Sequence, residues 1–322
     1  MIHSSEIGVC FGMDTGLEIS APASDGSVTV EGVRLTHPER VLYPEQGITK
    51  LALARYYAAI RDWILPELRN RPLSLVRCPE GESGTCFYQK HVGAGVPDAV
   101  GRIEIAEKSG ERTYLVIEDL AGLVAMVQIG VLELHPWGST VAKLETPDRI
   151  TFDLDPDIGL PWERVTGAAI EMREALRGIG LTSFPKTTGG KGLHVVVPIA
   201  PKLEWEAVKE FSKWVAERFV ASHPDRFTSN MAKRARAGRI FIDYLRNSRG
   251  ATAVAAYSPR ARPGAPVATP LSWEEVENGV TPDRFTVATV PERLARPGSD
   301  PWAEMRGLRQ SIGAKLRREA GI

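Results

Sequence analysis

The chain has 322 residues, 43% of them hydrophobic and 25% charged, with 40 basic and 40 acidic side chains. This length can bury a substantial core in one large domain or two packed ones, and the zero net charge argues against a general polyanion binder without excluding a local basic groove. No apolar run approaches the roughly 20 residues that cross a bilayer, and the N-terminus lacks a basic stretch followed by an apolar one, so we expect a cytoplasmic protein without membrane contact.

The N-terminal part of the chain changes character near residue 33. Residues 1–32 are rich in Gly, Ser and other small residues, which predicts an N-terminal tail or a loosely attached strand. Thr49 is a plausible N-cap for a helix whose apolar residues recur every three or four positions, and Pro66 closes that pattern. The strand-like runs LSLVRC, TCFYQKH and ERTYLVIED and the helical stretch LAGLVAMVQIGVLELH complete a small α+β subdomain at residues 33–148.

The chain contains three cysteines, Cys10, Cys78 and Cys86, which are too few for a disulfide framework. Cys78, Cys86 and His91 could share a zinc ion, but their Cys-x7-Cys-x4-His spacing is not that of a familiar zinc knuckle. We therefore expect buried or inert thiols rather than a metal site at these positions.

Residues 149–322 show a more regular pattern. RITFDLD predicts a strand, and the helix that follows carries an apolar stripe ending before Gly178. TSFPKTT and LHVVVPI predict two strands joined by the glycine-rich turn GGKG. A second amphipathic helix occupies residues 205–219, RIFIDYL predicts another strand, and a proline-rich loop leads to a final helix near Trp273.

Three aspartates, Asp153, Asp155 and Asp157, stand at alternate positions where the strand RITFDLD ends. Strand side chains repeat with a period of two, so all three could lie on one face. Like charges so close together repel, and either a cation neutralises them or the pattern is a solvated strand end. Pro156 ends the strand, and we therefore treat Asp157 as a loop residue without an assigned role.

Two further segments carry residues suited to phosphate chemistry. In TTGGKGLHVVV the glycines let the backbone approach a ligand, while Lys191 and His194 supply cationic or hydrogen-bonding groups. The segment is not a Walker loop, because Lys191 is followed by another glycine and a strand. Residues 231–262 hold eight Lys or Arg and a single acid, Asp243; such a run is typical of a solvated face, but the isolated acid favours a functional groove.

Taken together, these segments meet the demands of phosphoryl or nucleotidyl transfer by two metal ions. That chemistry needs carboxylates that bind hard divalent cations and cationic groups that hold phosphates. The carboxylates would come from Asp153, Asp155 and Asp243, and the phosphate-binding groups from Lys191, His194 and Arg236 or Arg246.

The ordered segments FDLDPD, TTGGKGLHVVVP and RIFIDYLRNSRGATAVAAYSPRARPGAPVATPLSW resemble motifs I, II and III of the archaeo-eukaryotic primase superfamily. More narrowly, they resemble the polymerase domain of bacterial ATP-dependent DNA ligase D, which acts in non-homologous end joining. The resemblance extends from about Leu35 to about Trp273. It implies an α+β fold in which a primase-polymerase catalytic core, with a central mainly antiparallel sheet flanked by helices, occupies residues 149–322 beside the N-terminal subdomain.

The resemblance also implies roles for individual residues. Asp153, Asp155 and Asp243 correspond to carboxylates that bind two divalent ions, Mn²⁺ or Mg²⁺. The positions that match nucleotide-binding residues are His135, Thr188, Lys191, His194, Arg236 and Arg246; threonine replaces the usual serine at 188, and Arg246 stands where relatives can have glutamine. The positions that match the surface for a DNA 5′-phosphate are the basic Arg40 and Lys50 and the stacking aromatics Phe87 and Tyr88.

The function implied is a template-directed nucleotidyltransferase that fills gaps and extends 3′ ends in end joining, with a preference for ribonucleotides. Its partners would be DNA ends and gapped DNA with a 5′-phosphate, NTP or dNTP, Ku and an ATP-dependent DNA ligase, at a nucleoid-associated location in the cytoplasm. Two alternatives use the same residues. A phosphohydrolase or nuclease would activate water in place of a 3′-hydroxyl, and a DNA end-binding or synapsis module would act without catalysis.

Overall fold

The structure, a computed structural model, describes residues 16–298 and 300–322. Cys10 and the rest of the predicted tail up to residue 15 lie outside the described residues. The described strands are β1 (Val28–Val30), β2 (Val33–Leu35), β3 (Val41–Tyr43), β4 (Ile48–Thr49), β5 (Leu73–Arg77), β6 (Phe87–Gln89), β7 (Gly101–Glu107), β8 (Gly110–Val116), β9 (Val131–Pro136), β10 (Arg149–Pro156), β11 (Phe184–Thr187), β12 (Leu193–Pro198), β13 (Phe227–Thr228) and β14 (Ile240–Asp243).

The described α-helices are α1 (Lys50–Ala59), α2 (Arg61–Leu68), α3 (Leu120–Gln128), α4 (Trp162–Gly178), α5 (Trp205–Ser222), α6 (Trp273–Glu277), α7 (Thr289–Leu294), α8 (Ala303–Gly307) and α9 (Ala314–Ala320). Short 3₁₀ turns occur at Val141–Lys143, Lys233–Arg236, Leu245–Asn247 and Pro282–Arg284. None of these helices is long and apolar enough to span a bilayer. The expected final helix near Trp273 is present as α6, but it is not the last, because three short helices follow it.

The first compact unit combines the described residues up to Leu134 with Tyr257–Val267 and residues 285–298. Its main sheet has the strand order β6-β5-β8-β7, with β9 also paired to β5, and β1-β2 and β3-β4 form two small antiparallel pairs. Buried tyrosines hold the distant segment in place: the hydroxyl of Tyr43 donates to the Arg260 carbonyl at 2.9 Å and that of Tyr56 to the Tyr257 carbonyl at 2.7 Å. Residues far apart in sequence therefore share one core.

Helix α1 starts where the sequence predicts. The Thr49 hydroxyl accepts a hydrogen bond from the Ala52 amide at 3.1 Å, as expected of an N-cap. The predicted end at Pro66 is wrong, because the chain bends at Ile60 and Pro66 lies inside the following helix α2. The buried side chains of α2 include Leu68, beyond the proline, and this packing holds the last turn in helical form.

The second predicted helix of this unit is half right. The stretch LAGLVAMVQIGVLELH forms α3 only as far as Gln128 and then continues as strand β9. Gly130 makes the change of direction with a φ of +75°, a conformation that favours glycine. A side chain there would also meet the backbone of Pro79 at 2.9 Å, so the turn at Gly130 is fixed by packing as well.

Cys78 and Cys86 form a disulfide, so the expectation of free thiols is wrong and these two sulfurs do not serve as zinc ligands. The cause lies in the strand register. Arg77 in β5 pairs with Phe87 in β6, which places the next residue of one strand opposite the preceding residue of the other. The Cα atoms of Cys78 and Cys86 are consequently only 4.3 Å apart.

The second compact unit comprises His135–Ala256, Ala268–Arg284 and residues 300–322. Its five-stranded sheet has the order β11-β12-β10-β14-β13, in which every pairing is antiparallel except that of β13 with β14. Helices α4 and α5 pack against this sheet. The predicted α+β class with a mainly antiparallel sheet and flanking helices is confirmed, whereas the domain boundaries predicted at residues 33, 148 and 149 remain predictions.

Strand β10 alternates between two environments. Ile150, Phe152 and Leu154 are completely buried on one face of the sheet. Thr151, Asp153 and Asp155 alternate with them and therefore lie on the other face. This period of two presents the acidic side chains away from the apolar face of the sheet.

Candidate functional site

Three aspartates share one face of the sheet in the second unit. In the antiparallel pairing of β10 with β14, Asp153 lies directly opposite Asp243, and Asp155 lies two residues further along β10. Residues directly opposite in an antiparallel pair project to the same face, as do residues two apart on one strand. The sheet thus brings together residues that are 90 positions apart in sequence.

Asp155 is held by two cations. Its carboxylate lies 3.2 Å from Nζ of Lys191 and 3.2 Å from Nη1 of Arg236. The Arg236 guanidinium also stacks on Phe241, with 3.9 Å from its carbon to the ring centroid, and donates to the Met231 carbonyl at 3.0 Å. Since Phe241 is the cross-strand partner of Asp155, the stacking fixes the guanidinium over the same face of the sheet.

Asp153 and Asp243 share a third cation. Arg246 places Nη2 at 3.2 Å from Oδ2 of Asp153 and Nε at 3.2 Å from Oδ2 of Asp243. Nε2 of His194, the cross-strand neighbour of Asp153 in β12, lies 3.5 Å from its Oδ1. The acidic face is therefore neutralised by side chains that the sequence also marks as phosphate-binding candidates.

The protonation states follow from burial and these contacts. Burial opposes the ionisation of Asp153, but His194, Arg246 and Lys186 outweigh it and hold the pKa of its carboxyl well below the usual range. Burial raises the pKa of Asp243, with a further contribution from the charge of Asp153. Burial and the charge of Lys186 lower the pKa of His194 to about 4, so this imidazole is neutral at pH 7.

Among the described residues, no three His, Cys, Asp or Glu side chains are gathered as a metal-binding group. In the described contacts, Lys191 and Arg236 pair with Asp155, whereas Arg246 pairs with both Asp153 and Asp243. The donor set nevertheless fits a hard divalent ion, because all three carboxylates share a face and a guanidinium already stands as a cation between two of them.

The glycine-rich turn packs directly on the acidic strand. The hydroxyl of Thr188 donates to the Gly192 carbonyl at 3.1 Å, which closes the turn, and Gly189 adopts a φ of +65°. A side chain at Gly192 would meet the Leu154 carbonyl at 2.9 Å. Lys191 reaches from this turn to the Pro156 carbonyl as well as to Asp155. The close approach of the turn to strand β10 thus places the lysine beside the carboxylate of Asp155.

Two residues at the site were missed by the sequence reasoning. Lys186, in β11 directly opposite His194, is buried, and its charge acts on both His194 and Asp153. Asn247 is also buried; its side chain accepts from the Thr151 amide at 2.8 Å and donates to the Thr151 and Tyr244 carbonyls at 3.0 and 2.8 Å. Its amide continues the ladder of β10 where β14 has ended.

His135 lies near the end of β9 and is half-buried. The residues that follow it, Pro136, Trp137 and Gly138, line a cavity together with His194 and Arg246. The chain that follows His135 therefore forms part of the wall of the cavity that His194 and Arg246 also line.

In the first unit, Arg40 and Lys50 lie close together because the Lys50 amide donates to the Arg40 carbonyl at 2.9 Å. Arg40 is exposed, whereas the ammonium of Lys50 is buried and donates to the Thr36 carbonyl and to both the backbone and side-chain oxygens of Gln128. Burial, with a contribution from Arg40, lowers the pKa of Lys50 to about 8. A phosphate contact by Lys50 would replace one of these hydrogen bonds.

Phe87 and Tyr88 are both exposed, at 44% and 50%, on the edge strand β6. As consecutive residues of a strand they project to opposite faces. The guanidinium of Arg77 covers the Phe87 ring at 5.5 Å from the centroid. The two aromatics therefore offer stacking surfaces on two sides of the edge strand rather than one continuous platform.

Comparison with known proteins gives consistent matches. The sequence model of a family described as LigD, primase-polymerase domain, matches residues 49–302. The multifunctional non-homologous end joining protein LigD of Pseudomonas aeruginosa is 41% identical over 302 residues, which cover 94% of this chain and 36% of that protein. The bifunctional non-homologous end joining protein LigD of Bacillus subtilis is 30% identical over 267 residues, covering 83% of this chain and 43% of that protein.

A solved structure, that of the polymerase domain from Mycobacterium tuberculosis ligase D in complex with DNA, matches with a TM-score of 0.79 at 32% identity. The match covers 85% of this chain and 98% of the solved chain. The chain described here spans only about a third of the length of its Pseudomonas relative. The resemblance stated from the three motifs is confirmed.

Proposed function

Because the chain belongs to the LigD primase-polymerase family, we propose that it is a template-directed nucleotidyltransferase that fills gaps and extends 3′ ends during non-homologous end joining. The observation that carries this proposal is the placement of Asp153, Asp155 and Asp243 on one face of a sheet, with lysine and arginine side chains paired to them. A preference for ribonucleotides belongs to the same proposal.

The three aspartates would hold two divalent ions, Mn²⁺ or Mg²⁺. When bound, such ions supply the positive charge that favours ionisation of a primer 3′-hydroxyl and stabilises a pyrophosphate leaving group. The low pKa of Asp153 keeps its carboxylate ready to bind a cation at neutral pH. The raised pKa of Asp243 means that its share in binding strengthens as the pH rises.

The chain's own cations would bind the triphosphate of the incoming nucleotide. Lys191 and Arg246 have half-exposed side chains, at 52% and 43%, and can reach a ligand above the acidic face. His194 is neutral and would act as a hydrogen-bonding group rather than as a charge. His135, Thr188 and Arg236 remain proposed nucleotide contacts, with the Thr188 hydroxyl already engaged within its turn.

In the first unit, Arg40 and Lys50 would bind the 5′-phosphate at the far side of a gap, and Phe87 and Tyr88 would stack on DNA bases. Stacking of a base on an aromatic ring contributes about 1–3 kcal/mol and tolerates any sequence, as end repair requires. Further proposed partners are Ku and an ATP-dependent DNA ligase activity, at a nucleoid-associated location in the cytoplasm.

The preference for a 5′-phosphate should depend on pH. Lys50 is charged below its pKa of about 8 and neutral above it, so the preference for 5′-phosphorylated over 5′-hydroxyl gapped DNA should fall between pH 7 and pH 9. Fluorescence anisotropy with the two substrates measures this preference. In Arg40→Gln the midpoint of the fall should move to higher pH, because the neighbouring charge of Arg40 contributes to lowering the pKa of Lys50. A preference that stays constant from pH 7 to pH 9 would show that Lys50 does not bind the 5′-phosphate.

The proposed function is tested by extension of a labelled primer next to a short gap with a 5′-phosphate. Wild-type protein with Mn²⁺ or Mg²⁺ should extend the primer with ribonucleotides more efficiently than with deoxyribonucleotides. Folded Asp155→Ala should not extend the primer with either. Release of labelled nucleotides without added triphosphate would instead indicate a nuclease. Binding of the gapped DNA without any extension by wild type would indicate an end-binding module.

A further inference from the structure

Arg246 occupies an unusual position between two of the three aspartates. Its Nε lies 3.3 Å from Oδ2 of Asp153 and 3.2 Å from Oδ2 of Asp243, and its Nη2 lies 3.2 Å from the same Asp153 oxygen. Lys191 and Arg236 pair with Asp155 instead. Within residues 16–298 and 300–322, the described ion pairs thus make Arg246 the cation that joins two carboxylates on neighbouring strands.

The backbone of Arg246 is fixed while its side chain has room to move. The preceding amide, that of Leu245, donates to Oδ1 of Asp243 at 2.9 Å, and the following residue, Asn247, is buried and hydrogen-bonded to Thr151. The Arg246 side chain itself is 43% exposed, compared with 12% for Asp153 and 14% for Asp243. The guanidinium can therefore leave the carboxylates without disturbing the strands that carry them.

A guanidinium and a divalent ion compete for these oxygen atoms. Asp153 Oδ2 already accepts hydrogen bonds from both Nε and Nη2 of Arg246, and Asp243 Oδ2 forms an ion pair with the same guanidinium. A divalent ion bound by the same oxygens would lie close to the arginine, and two cations in such proximity repel each other strongly. An anionic triphosphate above the acidic face would attract the guanidinium away from the carboxylates.

We propose that Arg246 couples the binding of the divalent ion to that of the nucleotide. Without ligands, the Arg246 guanidinium links Asp153 to Asp243. It leaves both carboxylates when a divalent ion binds, and it then binds the triphosphate. This inference rests on the proposed function, since it assumes that both ligands bind here. Because coupling is reciprocal, a nucleotide would raise the affinity for the divalent ion by the same factor as the ion raises that for the nucleotide.

The direct test measures the binding of Mn²⁺ alone to the full chain, without DNA. Electron paramagnetic resonance reports the fraction of Mn²⁺ that is bound. Arg246→Gln should bind Mn²⁺ on the order of tenfold more tightly than wild type, because a competing charge in contact with the oxygens is removed. The Mn²⁺ affinity of Arg246→Lys should lie between those of wild type and Arg246→Gln. An ammonium group keeps the positive charge but lacks the planar guanidinium that contacts both carboxylates. The matched control Arg249→Gln removes a charge paired with Glu145 and should bind Mn²⁺ like wild type within about twofold.

A second measurement tests the coupling itself. The factor by which Mn²⁺ raises the affinity for a fluorescent ATP analogue should be several times larger in wild type than in Arg246→Gln. Equal or weaker Mn²⁺ binding by Arg246→Gln, or an unchanged factor, would overturn the inference. Primer extension by the same wild-type preparation separates the two claims: normal extension with equal Mn²⁺ affinities overturns only the role of Arg246, whereas absent extension contradicts the proposed function.

Discussion

Asp153→Asn should lower the rate of primer extension by about 1000-fold or more, equivalent to at least about 4 kcal/mol of transition-state stabilisation. The substitution keeps the size of the side chain but removes the negative charge that His194, Arg246 and Lys186 surround. An amide is also a much poorer ligand for a hard divalent ion than a carboxylate. Single-turnover extension at saturating gapped DNA measures the loss without interference from product release.

Asp157→Asn provides the matched control for this experiment. Asp157 lies four residues further along the same segment and accepts a hydrogen bond from the Gly238 amide at 2.8 Å, which an asparagine oxygen can also accept. Its extension rate should stay close to that of wild type. If Asp153→Asn remains folded by circular dichroism and extends the primer as fast as Asp157→Asn, then Asp153 has no part in the chemistry.

Asn247→Ala should destabilise the protein by about 3 kcal/mol and also reduce extension. The substitution leaves the buried amide and carbonyl of Thr151 without the partners that the Asn247 side chain provides. It also releases the 3₁₀ turn that positions Arg246 beside the acidic strand. Urea unfolding measures the loss of stability, and extension below the unfolding transition measures the loss of activity.

The exposed Asn278, at the C-terminal end of α6, supplies the comparison. Asn278→Ala should change the free energy of unfolding by less than about 0.5 kcal/mol, as is usual for a surface substitution. Similar unfolding free energies for the two variants would show that the bonds from Asn247 to strand β10 contribute little. The assignment of Asn247 as the residue that extends this ladder would then be incorrect.

The sequence was most informative where local pattern and tertiary structure agree. The alternation in RITFDLD places Asp153 and Asp155 on one face, and the capping hydroxyl of Thr49 fixes the start of α1. The order of the three motifs led to a family that the comparisons confirm. These features depend on short-range periodicity or on ordered segments, both of which are visible in the chain itself.

Other features depend on contacts that a sequence does not display. The apolar run after Leu120 looks helical throughout, yet Gly130 turns it into a strand because of packing against Pro79. The disulfide follows from a cross-strand register that spacing alone does not reveal. Lys186 directly precedes the segment TTGGKGLHVVVP, but its burial beside His194 emerges only from the pairing of two strands.

The most direct test of template-directed synthesis is incorporation by wild-type protein at a single-nucleotide gap, with each of the four bases in turn as the template. All four triphosphates are supplied together, and the added nucleotide is identified by mass. Template-directed synthesis should add the complementary nucleotide in each case, and no product should form when the divalent ion is chelated. Incorporation of the same nucleotide opposite every template base, or no incorporation at all, would contradict it.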